Sequence, residues 1–148
     1  MQQLQTDGAT VVAGGRQLRD GDLARGYYVE PVLAEADLAH PLWKQEMFLP
    51  IVMLHRYRDR DDAMRLANDT DMGLTAGFYG GADEVPWFQD HIEAGVTYAN
   101  RPQGATTGAW PGYQPFGGWK GSGSTGKAIA SFYYLQQYLR EQSRTVVE

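Results

Sequence analysis

The stretch LTAGFYGGADEVPWFQDHIEAGVTYA, residues 74–99, determines the fold class of this chain. Residues 74–79 predict a strand that ends at two glycines, and residues 96–99 predict a second strand. Between them an apolar side chain recurs every three or four positions, which predicts an amphipathic helix over residues 82–92. A strand, a helix and a strand at this spacing indicate a right-handed crossover between parallel strands.

The alternation of strands and helices continues on both sides of this stretch. Upstream, a helix is predicted to begin after Asp59, whose carboxylate can cap it, and downstream a helix is predicted over residues 125–138. The remaining predicted strands, rich in aromatic or β-branched residues, cover residues 9–13, 27–33, 51–57 and 145–147. The sequence therefore predicts one α/β domain over residues 1–148, with a largely parallel sheet, flanking helices and a C-terminal strand.

A long loop, residues 100–127, follows the last strand of the quoted stretch. Its glycines alternate with prolines and with Trp110, Tyr113, Phe116 and Trp119, a composition that indicates packing and close backbone approach, not a flexible linker. Ligands of open α/β sheets bind beyond the carboxyl ends of the strands. This loop is therefore the best candidate for a functional site.

Two phosphate-binding patterns match within the loop. Gly121 to Gly126 reads G-x-G-x-x-G, and Gly121 to Lys127 reads G-x-x-x-x-G-K. The second pattern requires serine or threonine as its next residue, but residue 128 is alanine, and neither match follows a hydrophobic strand. Chance matches in a glycine-rich loop are therefore the favoured interpretation.

The composition argues against several classes of function. The 148 residues are 43% hydrophobic and 21% charged, with a net charge of −5 and no large basic cluster, which favours a globular protein without a nucleic-acid partner. No apolar run is long enough to span a membrane and no signal peptide is recognised, so a cytoplasmic location is expected. His40, His55 and His91 lack metal-ligand spacing, and without cysteine there is no thiolate for catalysis or metal binding.

Six short motifs occur in one order along nearly the whole chain. They are GG (14–15), GYYVEP (26–31), EMFLP (46–50), AN with GLTAG (67–68 and 73–77), GVTYAN (95–100) and PFGGWKGSG (115–123). Together they resemble the C-terminal part of the NAD(P)-dependent aldehyde dehydrogenase superfamily. Asn100 and Arg101, followed by TGA (107–109) and QPFGG (114–118), are most similar to the delta-1-pyrroline-5-carboxylate (glutamate semialdehyde) dehydrogenases.

The resemblance implies that two residues of this chain bind the cofactor. Glu46 and Phe48 match the family's E-x-F motif, in which the carboxylate binds the hydroxyls of the nicotinamide ribose and the ring packs beside the cofactor. Leu49 stands where the family usually has glycine, so the turn that carries Glu46 is expected to differ. NAD or NADP is expected in the full enzyme. Tight binding to this chain is not expected, because a dinucleotide-binding Rossmann domain that the chain lacks makes the other contacts.

The resemblance also implies four substrate-binding residues. Gly108 and Ala109 match a loop whose backbone N–H groups bind the α-carboxylate of the substrate. Phe116 matches an aromatic wall of the aldehyde pocket, and Asn100 lies at the strand end beneath it. Trp110 and Pro111 depart from the pattern and are expected to change the pocket rim.

The expected function is that of the C-terminal segment of an aldehyde dehydrogenase that oxidises a semialdehyde bearing a carboxylate. The family's cysteine nucleophile and glutamate base lie upstream of the matched part, so no catalytic residue is assigned here and the chain alone is expected to be inactive. A homo-oligomer is expected through residues 140–148, which resemble an arm that pairs with a neighbouring subunit's sheet. The alternatives are a non-catalytic interaction module that oligomerises, or half of a split dehydrogenase completed by a separate N-terminal chain.

Overall fold

The computed structural model describes residues 2–102, 114–124 and 127–148. The chain divides into two compact units, Met1–Arg58 and Asp59–Glu148. Each unit combines short helices with small sheets, which confirms the predicted α/β class. Within the described ranges, no helix has the length and apolar character needed to cross a lipid bilayer.

The first unit is built on a three-stranded sheet. Helix α1 (Gln2–Thr6) precedes strands β1 (Thr10–Gly14), β2 (Val32–Glu35) and β3 (Ile51–Leu54). Strand β1 is antiparallel to β2, and β2 is parallel to β3. The side chains of β2 alternate between buried and half-buried, because one face of the sheet covers the core. That core consists of Leu4, Ala9, Val32, Ala34 and Ala36.

The strand predicted over residues 27–33 is wrong for most of its length. Strand β2 begins at Val32, and the residues before it contribute an isolated antiparallel bridge between Gln17 and Val29. The physical reason is Pro31, which has no N–H to donate to a neighbouring strand and therefore interrupts the ladder.

The second unit begins with helix α2 (Arg60–Asn68), as the capping residue Asp59 predicted. The Asp59 carboxylate accepts a hydrogen bond from the backbone N–H of Asp62 at 2.8 Å. This bond satisfies one of the N–H groups that have no partner within the first turn of a helix. The short strand β4 (Met72–Gly73) follows the helix.

The predicted strand–helix–strand stretch is confirmed. Strand β5 (Thr75–Phe78) is parallel to β6 (Val96–Ala99), and helix α3 (Val85–His91) connects them. The ring of Phe88 is stacked on Phe78 with 5.1 Å between ring centroids. Together with Ile92 and Ala94, Phe88 forms the core of this unit, which holds the two strands and the helix together.

The helix predicted over residues 125–138 is wrong for most of its length. Among its described residues, only Leu135–Tyr138 are helical, in a 3₁₀ turn. Ile129 instead forms a bridge with Phe116, and Phe132 is 99% exposed. The apolar side chains of the predicted stripe are exposed, and helices in proteins depend on packing of such a stripe for most of their stability.

The C-terminal strand predicted over residues 145–147 is also not formed within the chain, where residues 139–148 have no regular secondary structure. A strand needs a neighbour for its N–H and C=O groups. The resemblance assigns that neighbour to another subunit, and this pairing stays a prediction.

The parallel pairs β2–β3 and β5–β6 lie in separate small sheets, and β4 pairs antiparallel with β7 (Trp119–Lys120).

Candidate functional site

Glu46 and Phe48 lie in the first unit, on the segment that leads into β3. Both side chains are exposed, Phe48 to 91%. The Glu46 carboxylate makes no hydrogen bond or ion pair with another described residue, so its oxygens are available to a ligand. This arrangement fits a nicotinamide ribose, because one carboxylate can accept hydrogen bonds from two hydroxyl groups.

The backbone of Phe48 adopts a φ of +48°. This left-handed conformation costs a residue with a bulky side chain roughly 1–2 kcal/mol. An altered turn was expected at Leu49, where the family usually has glycine. The conformation that favours glycine occurs one residue earlier, so the strain falls on a proposed cofactor-binding residue itself.

Asn100 lies in the second unit, at the carboxyl end of β6, and its side chain holds the neighbouring turn. The Asn100 Oδ1 atom accepts a hydrogen bond from the Gly80 N–H at 3.0 Å, and its Nδ2 atom donates to the Gly80 carbonyl at 3.0 Å. The backbone φ of Asn100 is +51°, in the region that asparagine tolerates better than most residues. Asn100 therefore fixes where the long loop begins. Contact with a substrate stays a prediction. It is chemically possible, because the amide keeps a second lone pair on Oδ1 and a second N–H on Nδ2.

Replacing Asn100 by alanine should lower the free energy of unfolding by about 2 kcal/mol, because both amide bonds are lost and alanine is strained at this φ. Asn100→Gly should cost only about 1 kcal/mol, because glycine adopts the conformation freely and only the bonds are lost. Urea denaturation followed by circular dichroism measures both changes. Equal costs for the two variants would show that backbone strain plays no part.

Phe116 also lies in the second unit, where it lines a cavity of about 360 Å³. Its backbone pairs with Ile129 through N···O distances of 2.9 and 3.0 Å. The walls of the cavity are mainly glycine backbone and aromatic rings, among them Trp119, Tyr134 and Tyr138. The Tyr138 hydroxyl donates to the Tyr134 hydroxyl, and this bond raises the pKa of Tyr138 above its ordinary value. The volume lies within the range of small-molecule sites.

Gly108 and Ala109, the residues predicted to bind the substrate carboxylate, lie outside the described residues, as do Trp110 and Pro111. Glu46 and Phe48 belong to one compact unit, whereas Asn100 and Phe116 belong to the other. Among the described residues, no group of three His, Cys, Asp or Glu side chains is placed to hold a metal ion.

The backbone of the glycine-rich segment argues against phosphate binding at residues 121–123. The Gly121 N–H donates to the Asp71 carbonyl at 2.8 Å, and the Ser122 N–H donates to the Trp119 carbonyl at 3.0 Å. The Gly123 N–H makes a longer bond to the Lys120 carbonyl at 3.4 Å. A phosphate loop directs such N–H groups at the ligand. These three instead hold the segment against its own chain.

Two polar residues that were not predicted from the sequence, Lys120 and Asn68, organise the second unit. The Lys120 ammonium donates to the carbonyls of Asn68 at 2.6 Å and Thr70 at 3.1 Å, and it is paired with the Glu93 carboxylate. The Asn68 side chain donates to the His91 carbonyl and accepts from the Glu93 N–H, both at 2.8 Å. The one signal in the sequence for these roles was the position of Asn68 at a predicted helix end. Lys120 offered no such signal, because its hydrogen-bond partners are distant in sequence.

A scan against protein families matches the aldehyde dehydrogenase family over residues 1–144. Similar curated proteins include the 1-pyrroline-5-carboxylate dehydrogenases of Bacillus thuringiensis (strain Al Hakam) and Bacillus cereus (strain B4264). Each is 36% identical over 141 residues, which is 93% of this chain and 25% of the relative. The chain thus spans about a quarter of the length of these relatives.

Solved structures with a similar fold include an aldehyde dehydrogenase and a second protein, both in complex with a nicotinamide cofactor. Betaine aldehyde dehydrogenase from Staphylococcus aureus in complex with NAD+ is 25% identical, with a TM-score of 0.78 over 93% of this chain and 26% of that chain. PnpE in complex with nicotinamide adenine dinucleotide is 31% identical, with a TM-score of 0.75 over 86% of this chain and 25% of that chain.

Proposed function

This chain belongs to the aldehyde dehydrogenase family, and we propose that it supplies part of the cofactor site and part of the aldehyde site of an NAD(P)-dependent enzyme. The substrate we propose is a semialdehyde that bears a carboxylate, of the glutamate semialdehyde type. The observation that carries the proposal is the exposed Glu46 and Phe48 pair, set within a chain that is 36% identical to 1-pyrroline-5-carboxylate dehydrogenases over 141 residues.

Each proposed site residue has a role that follows from its chemistry. The Glu46 carboxylate accepts hydrogen bonds from the ribose hydroxyls, and the Phe48 ring packs beside the nicotinamide and excludes water from it. NAD(P) held by these two residues would supply the hydride acceptor for oxidation of the aldehyde. Backbone N–H groups of Gly108 and Ala109 bind the substrate carboxylate, and Phe116 covers the apolar part of the substrate. The nucleophile comes from residues outside this sequence, which has no cysteine.

The proposal is tested with a hybrid enzyme, in which this chain replaces the matching quarter of the Bacillus thuringiensis relative. The hybrid should oxidise glutamate semialdehyde with NAD, whereas the 148-residue chain alone should show no turnover. A correctly folded hybrid without activity would contradict the proposal and favour the non-catalytic interaction module. Activity restored by mixing the chain with the remaining three quarters as a separate protein would favour the split enzyme.

Within the active hybrid, Glu46→Gln should raise the KM for NAD by about 10- to 100-fold, because hydrogen bonds to a charged group are worth roughly 1.5–3 kcal/mol. The KM for the aldehyde should change little, since Glu46 is assigned to the cofactor alone. Asp90→Asn is the matched control, because it removes one exposed carboxylate from α3 without touching the proposed site. Equal effects of the two substitutions on the KM for NAD would refute the role of Glu46.

A further inference from the structure

The turn that precedes Glu46 is held by a buried histidine. The His40 side chain is only 5% exposed, and its Nδ1 atom accepts a hydrogen bond from the backbone N–H of Leu42 at 3.2 Å. His40 thereby caps a 3₁₀ turn over Pro41–Trp43, a role more often filled by Asn, Asp, Ser or Thr. Its own backbone closes the turn on both sides, donating to Asp37 at 3.0 Å and accepting from Trp43 at 3.2 Å.

The imidazole makes this cap while one of its ring nitrogens stays without a partner. Because Nδ1 accepts from an amide, the neutral ring carries its proton on Nε2. That Nε2 atom is buried and has no hydrogen-bond partner among the described residues, which is unfavourable because a buried donor has lost its hydrogen bond to water. An asparagine would make the same cap without burying an unpaired ring N–H.

Two neighbours of His40 attach the turn to the rest of the first unit. The Trp43 indole N–H donates to the Asp37 carbonyl at 2.9 Å, and its ring meets the edge of His55, just after β3, at 6.3 Å between centroids. Leu42 packs against the core of the first unit. The turn is thus anchored both to the core and to the end of a strand.

The segment after the turn is held much less firmly. Residues 45–48 make no hydrogen bond with another described residue. Backbone bonds resume at Leu49 and Pro50, whose carbonyls accept from Ile51 and Val32 at 2.8 Å each. Glu46 and Phe48 therefore lie on a segment between two hydrogen-bonded stretches, the turn at residues 40–44 and residues 49–50. The turn capped by His40 is the one on their N-terminal side.

We propose that His40 is a positioning residue, which fixes the direction in which Glu46 and Phe48 are presented to the nicotinamide half of the cofactor. The inference rests on the proposed function, in which Glu46 binds the ribose. His40 itself is buried and does not touch the cofactor. Its effect passes through the capped turn to the unsupported segment that carries both residues.

The hybrid enzyme tests this with two substitutions at one position. His40→Ala removes the cap and should raise the KM for NAD by about fivefold, the equivalent of losing an N-cap worth about 1 kcal/mol. His40→Asn keeps a capping oxygen and should stay within about twofold of the parent. The KM for the aldehyde should be unchanged in both. His91→Ala, which removes an exposed imidazole from α3, is the control and should change neither KM.

A double substitution separates positioning from a general loss of stability. If His40 acts mainly through Glu46, adding His40→Ala to Glu46→Gln should change the KM for NAD by less than about twofold, since the effects of two residues coupled through one backbone segment are not additive. Additive effects would overturn the inference. If Glu46→Gln itself is silent, the proposed function fails. If Glu46→Gln acts and His40→Ala does not, only the role of His40 fails.

Hydrogen exchange on the 148-residue chain provides a readout that needs no activity. His40→Ala should speed exchange of the backbone amides of residues 42–44, and His40→Asn should not, while amides of β5 and β6 serve as the internal reference. Unchanged exchange at residues 42–44 in His40→Ala would overturn the inference, because the cap would then hold nothing in place.

Discussion

Phe88→Ala should lower the free energy of unfolding by about 3–5 kcal/mol, the usual cost of removing a buried aromatic ring. Phe88 is 4% exposed, and its ring is stacked on Phe78 at an interplanar angle of 19°. It is the largest residue of a buried core that otherwise consists of Ile92 and Ala94. Alanine would leave a cavity that such a small core cannot fill by rearrangement.

Because whole domains are stable by only about 5–15 kcal/mol, this single change should remove a large share of the stability of the second unit. Urea denaturation followed by circular dichroism gives the change in unfolding free energy. Phe132→Ala is the matched control, since Phe132 is 99% exposed and its removal should cost less than about 0.5 kcal/mol. A similar loss in both variants would mean that Phe88 is not the centre of this core.

Gly95→Ala should destabilise the second unit by about 3 kcal/mol, at the upper end of the costs of overpacking. A Cβ atom at residue 95 would lie 1.9 Å from the carbonyl oxygen of Gly117, well inside van der Waals contact. The backbone cannot easily move away, because the Gly95 N–H donates to the Gly73 carbonyl at 3.0 Å. The segment that carries Gly117 and Phe116 should therefore be pushed off its site.

Hydrogen exchange of residues 115–124 should rise in Gly95→Ala, together with the loss of stability in urea. Gly81→Ala is the matched control, because the nearest atom to its new Cβ is the end of the flexible Asp83 side chain, at 2.5 Å. That side chain can rotate away, so the control should cost less than about 1 kcal/mol. Protection of residues 115–124 that survives Gly95→Ala would contradict the close approach of the two backbones.

Most of the candidate site followed from the resemblance to a family, and little of it from physical reasoning on single residues. Glu46 has no signal of its own in the sequence, since an exposed carboxylate in a turn is ordinary. The structure adds that its side chain is exposed and that Phe48 beside it has a strained backbone. It also gives Asn100 a definite partner in Gly80, which explains why asparagine suits that position even without a ligand.

The sequence by itself determined the elements whose causes are local. The cap at Asp59 and the apolar spacing of residues 82–92 act between residues within a few positions of each other, so α2 and α3 could be predicted. Only the tertiary structure decided which polar side chains hold the fold, because Asn100 and Gly80 are 20 residues apart and Lys120 and Asn68 are 52 apart. It also decided that, among the described residues, most of the helix predicted over residues 125–138 does not form. An apolar stripe forms a stable helix only where another surface covers it, and a local pattern cannot reveal whether that surface is present.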